Sequence, residues 1–297
     1  MKRNFRSIGS VLGLIAVSFW VGCSEQSGPL SPKDDHGIQT LAKKVQVPDV
    51  EVKPVFRIPT GRNSERLTVF VFYEKGGNDK GGGGGKKPPK DDGEEKECLD
   101  TNTNQAYSEL GVLWPTSGIP VEYQPAFEPE SVIDLAFDAI DRGFGAWEAV
   151  RALADFKEVL DAPLAPERDD RNIVGWRQLV GRDAKKILAA TFIWDDGNST
   201  ITETDIVFNT AQKWAVNHSI EPGSQLCGTD FDVQAIAAHE VGHLRGVGHV
   251  IDDGDATNGD ETDATMFGSA AKGELKKQTL TPGDEDGAKK VFLLASS

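Results

Sequence analysis

The sequence predicts an α+β domain over residues 98–297, on three observations. Leu135, Ala139, Ile140, Phe144 and Trp147 recur at helical spacing along 132–150, which marks a first long helix. DVQAIAAHEVGHL (232–244) forms a second, with Asp232 placed to cap its amino end. Between them lie β-rich segments, one pair turned by Asp196-Gly197. A sheet covered by helices on one side accounts for this order.

Ahead of that domain the composition changes. MKRNFR is a basic start, SIGSVLGLIAVSFWVG a short apolar run, and Cys23 follows Gly22. Residues 1–23 therefore read as a signal peptide, and the Gly22-Cys23 pair resembles a bacterial lipoprotein cleavage site at which Cys23 takes lipid. An ordinary secretory signal or an uncleaved anchor is the alternative, against which the run is short for a span of ~20 residues. Residues 24–75 read as a tether or small pro-region. Within them RLTVFVFYEK (66–75) alternates like a strand that either adds to the sheet or belongs to the pro-region. Residues 76–97 are a Gly/Lys/Pro-rich linker.

The eleven residues HEVGHLRGVGH (239–249) carry the chemistry. His239 and His243 stand four apart, so a helix projects them from one face a turn apart, close enough to share one Zn²⁺. Glu240 sits about 100° round the helix, beside the metal, where a carboxylate serves as general base to activated water. Gly246 comes where a helix that must stop and turn needs positive φ. The turned chain then brings in His249 as a third nitrogen ligand. Three such ligands leave the fourth tetrahedral position open, which marks a catalytic rather than a structural zinc site. All five positions of HExxHxxGxxH are filled, and three of the chain's five histidines lie in it.

Beyond the motif comes Met266, in DATMFGSA. With the long zinc motif it resembles the Met-turn of the metzincin metallopeptidases, a methionine packed beneath the ligands. Within that clan the chain is most similar to the matrixins, the matrix metalloproteinase-like family with bacterial members. GIPVEYQPAF (118–127), the helix at 132–150, NIVGW (172–176), LAATFIW (188–194), TETDIVFNT (202–210) and LTPGDEDGAKKVF (280–292) carry the resemblance in order. It implies a twisted mixed sheet, an active-site helix, a first long helix and a carboxy-terminal helix, with Asp284 bracing the Met-turn from below. It further implies a substrate strand paired with an edge near Ala189 to Thr191. Val250 stands where matrixins usually have serine, and only His36 and His218 remain outside the motif, too few for their second, structural zinc.

The expectation is a zinc-dependent endopeptidase, exported and held to a membrane through lipid on Cys23 or else secreted, with protein or peptide substrates. A catalytically silent module for binding or adhesion is the alternative, which intact Glu240 opposes. In an exported compartment Cys98 and Cys227 are expected to pair as a disulfide; the alternative is Cys98 as a thiolate cap on the zinc. The acidic loop 251–264 offers Asp253, Asp255 and Asp260 as Ca²⁺ ligands, or is simply solvated. The net charge of −15 argues against nucleic acid as a partner. A monomer is expected.

Overall fold

The computed structural model describes residues 49–51, 58–60, 64–75, 104–181, 183–217, 228–250 and 261–295. All belong to one unit, Pro48–Ser297. Cys23, Cys98, Cys227, Asp253, Asp255, Asp260 and His218 lie outside the described residues.

Seven strands form the main path of the sheet: β1 (Arg66–Glu74), β2 (Ile119–Gln124), β3 (Ala154–Glu158), β4 (Ile173–Arg177), β5 (Ile187–Asp195), β6 (Ile201–Asn209) and the short β7 (Ser269–Ala270). Among the described residues they lie in the order β7-β1-β5-β6-β4-β2-β3. β6 runs parallel to β4, and β2 parallel to both β4 and β3. β5 is antiparallel to β6. Parallel neighbours need a crossover, and α1 (Ala136–Glu148) supplies it between β2 and β3. β5 is buried along its whole length, as its near-continuous apolar run requires of a strand covered on both faces.

The turn between β5 and β6 is built by Asp196, whose Oδ1 accepts the N–H groups of Asn198 (2.7 Å) and Thr200 (3.0 Å). Gly197 in that turn has φ +82°, a conformation glycine takes without a Cβ penalty.

One face of the sheet carries α1 and α2 (Val233–Leu244), with α3 (Pro282–Ala295) closing the domain. Trp147 Nε1 donates to Ala238 O at 2.6 Å, and a Cβ on Gly143 would come within 2.7 Å of Ala237 Cβ. The two helices therefore approach closely, through one indole and one glycine. Leu135 departs from the expected apolar stripe, for the helix begins only at Ala136 and Leu135 is exposed. A loop, through Ala162 and Ala165, covers part of the opposite face.

One expectation changes here. Ala189–Thr191 is not an edge, because β1 pairs antiparallel with β5 through Phe70↔Thr191, Val71↔Ala190 and Phe72↔Ala189. Residues 66–74 therefore add a strand to the sheet ahead of residue 98. The cause is ordinary strand chemistry: an alternating strand with apolar residues on both faces is stable only when paired.

Candidate metal centre

α2 is buried nearly all round, Ala235 through Leu244 without a break. Its amino end is capped by Asp232, whose carboxylate accepts from Ala235 N at 2.8 Å. Its carboxy end stops at Gly246, at φ +93°, where a Cβ would lie 2.5 Å from Val112 O. Any other residue would carry both backbone strain and a clash. The reversed chain, Val247–Gly248, pairs with Ser108–Glu109 and carries His249 back to the helix.

His239 Nε2 lies 3.1 Å from His249 Nε2 and 3.1 Å from His243 Nε2. Tetrahedral ligands at Zn–N distances of about 2.0–2.1 Å stand about 3.3 Å apart, and with all three ligand atoms within 4.8 Å of one another the group can hold one zinc. The other ring nitrogens fix the tautomers. His239 Nδ1 donates to Thr265 O at 2.7 Å and His243 Nδ1 to Val247 O at 2.9 Å, which leaves each Nε2 with its lone pair for a metal. Burial pushes all three imidazoles below their ordinary pKa, His249 to about 4, and for His239 the neighbouring imidazoles and Lys277 add to it. They are thus neutral, as ligands must be, at pH 7.

Glu240 is fully buried between the two helical histidines in sequence. Thr191 Oγ1, on β5, donates a short hydrogen bond to Glu240 Oε2. Glu240 Oε1 has no partner among the described residues. Burial raises this carboxyl to about 8 in the metal-free chain, near the range where a group both takes and returns a proton.

Beneath the centre, Met266 is fully buried, and a Cβ on Gly242 would come within 2.2 Å of its Sδ and 2.7 Å of Trp147 Cζ2. Gly242 thus lets the Met-turn pack directly against the ligand helix. Asp284 accepts from Thr265 N (3.0 Å), Met266 N (3.3 Å) and Thr281 N (2.9 Å). One carboxylate therefore holds the turn whose carbonyl at Thr265 orients His239.

The structure brings together His239, Glu240, His243, Gly246, His249, Met266 and Asp284. Sequence reasoning missed Thr191, Gly242 and two aromatic residues of β1. Phe72 stacks on His239 (centroids 3.8 Å apart), and Phe70 stacks on His243 (4.3 Å) and meets His249 edge-on (5.6 Å). A glycine inside a helix was the signal available for Gly242; none pointed to Thr191.

A fold of this order, with three converging imidazoles over a buried methionine, defines a zinc peptidase of the metzincin type. The matrixin family model matches residues 123–292, more than half of the chain and the whole metal centre. The chain belongs to the matrixin family, whose members are zinc peptidases acting on proteins or peptides. No curated protein matches the chain significantly.

Proposed function

We propose that this matrixin domain is an active endopeptidase, exported and tethered to a membrane by lipid on Cys23, with Glu240 as general base. The observation that carries the reading is the buried Glu240 carboxylate beside three neutral imidazoles whose Nε2 atoms converge. A module that only binds has no use for a carboxylate buried there, which is costly to keep. The basic and apolar leader ending at Gly22-Cys23 supports export and tethering.

His239, His243 and His249 would hold the metal. When bound, zinc supplies Lewis acidity for a peptide carbonyl and lowers the pKa of water. Glu240 takes the proton of the attacking water and returns it to the leaving amine, a transfer that a carboxyl poised near neutral pH performs in both directions. Thr191 fixes Oε2 by its hydrogen bond, so Oε1 is the oxygen free to exchange the proton. The apolar surroundings keep bulk water out and strengthen each of these interactions.

Zinc content and cleavage of a broad peptide library, measured before and after proteolytic removal of the amino-terminal segment, test the reading. Stoichiometric zinc with hydrolysis is expected. Stoichiometric zinc without cleavage in either form would leave a silent binding module. Intact-mass analysis finding an unmodified amino terminus would remove the tether.

A further inference from the structure

Behind the zinc motif lies a cavity of about 400 Å³ that shares no lining residue with the metal centre. The loop 113–117 forms one side of it, α3 another, and the chain just past the ends of α1 and α2 the rest. Trp114, Leu153, Ala288 and Val291 give it apolar walls. Two of these residues pack on the chain reversal that presents His249. Trp114 Nε1 donates to Leu244 O at 2.8 Å, and a Cβ on Gly246 would lie 3.2 Å from Val291 Cγ1.

The polar side of the cavity is made by Arg245, which stands between His243 and Gly246 and is only 6% exposed. Its Nη1 donates to Glu148 Oε1 at 3.2 Å and its Nη2 to Arg151 O at 2.5 Å. The Trp147 ring lies 5.9 Å from its guanidinium carbon. These contacts fix the plane of the group while using two of the five N–H donors a guanidinium carries.

Glu148 offsets the buried charge only in part, because its Oε1 also accepts the N–H groups of Leu153 and Ala154, each at 3.1 Å. Burial lowers the Arg245 pKa in spite of Glu148, and the Arg151 charge acts in the same sense. Arg151 lines the cavity too, and no aspartate or glutamate does. In a chain of net charge −15, the walls of this one cavity carry two guanidinium groups and no carboxylate.

A buried cation short of counter-charge is costly, and an anion beside it removes that cost. The fixed planar fork of arginine matches a carboxylate in a bidentate way that a neutral amide cannot reproduce. The volume falls in the roughly 300–1,000 Å³ range of small-ligand sites. Apolar walls around one such fork therefore select an anionic head on an apolar body.

We propose that this cavity is a binding site for a small carboxylate carried on a compact apolar body, with the carboxylate on Arg245 and the body against Trp114, Leu153 and Val291. A medium-chain fatty acid and the carboxyl end of a short peptide share this chemistry. No atom of the metal centre takes part, so the site stands or falls apart from the peptidase reading.

The test is calorimetric titration of the full chain with octanoate and with N-acetyl-leucyl-leucine, each beside its neutral amide. Excess acetohydroxamate is present throughout, so that no probe carboxylate reaches a bound zinc. At least one acid is expected to bind saturably, with its amide at least about 10-fold weaker, and the acid that binds identifies the source. Arg245→Gln should weaken the acid by a similar factor and leave the amide unchanged. Because that variant also loses the Glu148 contact, Ser117→Trp serves as a second one. Ser117 is exposed at the rim, so a large ring there closes the mouth and should abolish binding while melting temperature and zinc content stay those of the wild type. Absence of saturable binding by both acids overturns the proposal, as does equal affinity for acid and amide or undiminished affinity in either folded variant.

Discussion

Below the imidazoles of His239 and His243 the main-chain groups that position them accept hydrogen bonds; above the three rings, among the described residues, lie two phenylalanine rings. Thr265 O, Val247 O and the Asp284 carboxylate lock the floor, and Met266 seals it against Gly242. On the roof Phe70 and Phe72 touch the same rings without a polar contact to them. The two regions therefore differ in what they tolerate. A floor of buried hydrogen bonds cannot lose a partner without leaving another group unsatisfied, whereas stacked rings exchange for another apolar side chain at small cost.

The largest expected consequence of this contrast is acid lability of the metal-depleted chain. The three imidazoles have folded pKa values below the unfolded value near 6.5, so at acid pH the unfolded state binds more protons. Their neutral packing is at full strength above pH 6.5 and is lost as pH falls towards about 4, the value for His249. While each imidazole differs by one proton between the two states, stability falls by about 1.4 kcal/mol per pH unit per group. Glu240, Asp205 and Asp232, whose carboxyls burial raises in the folded chain, slope the other way, so the check is chemical unfolding of the chelator-treated chain beside its H249Q variant from pH 7.5 to 4.5: an identical pH slope in both would mean that the His249 ring is not buried neutral.

A smaller effect belongs to the floor alone. Asp284→Ala strands three buried N–H groups and should cost about 3 kcal/mol or more, at about 1–3 kcal/mol each. Zinc affinity should fall with it, because the Thr265 carbonyl that orients His239 loses its anchor. Urea unfolding and zinc titration of the variant measure both. A loss under 1 kcal/mol would show that water replaces the carboxylate and that the floor is less rigid than described.

Much of the centre was legible in the sequence because its parts are local. His239, Glu240 and His243 share one helix, so spacing alone sets their faces, and Asp232 and Gly246 mark its ends by capping chemistry. Met266 and Asp284 were found through resemblance, not spacing. What escaped is non-local. Gly242 is a glycine because Met266 and Trp147, on other elements, occupy the space of a Cβ. Thr191 reaches Glu240 only once β5 lies against α2. The alternation of 66–75 announced a strand but not its partner, since period 2 tells which side chains share a face and nothing about which strand lies beside it. For that reason Ala189–Thr191 read as an open edge.

The proposed division of labour gives the metal to the three histidines and the proton transfer to Glu240. Glu240→Ala separates the two roles most directly, measured as zinc stoichiometry beside peptide hydrolysis in the wild-type and variant chains. The prediction is unchanged zinc content with hydrolysis lowered by ~10²- to 10⁴-fold, the usual range for a lost general base. Zinc lost along with activity, or hydrolysis retained with zinc in place, would contradict it.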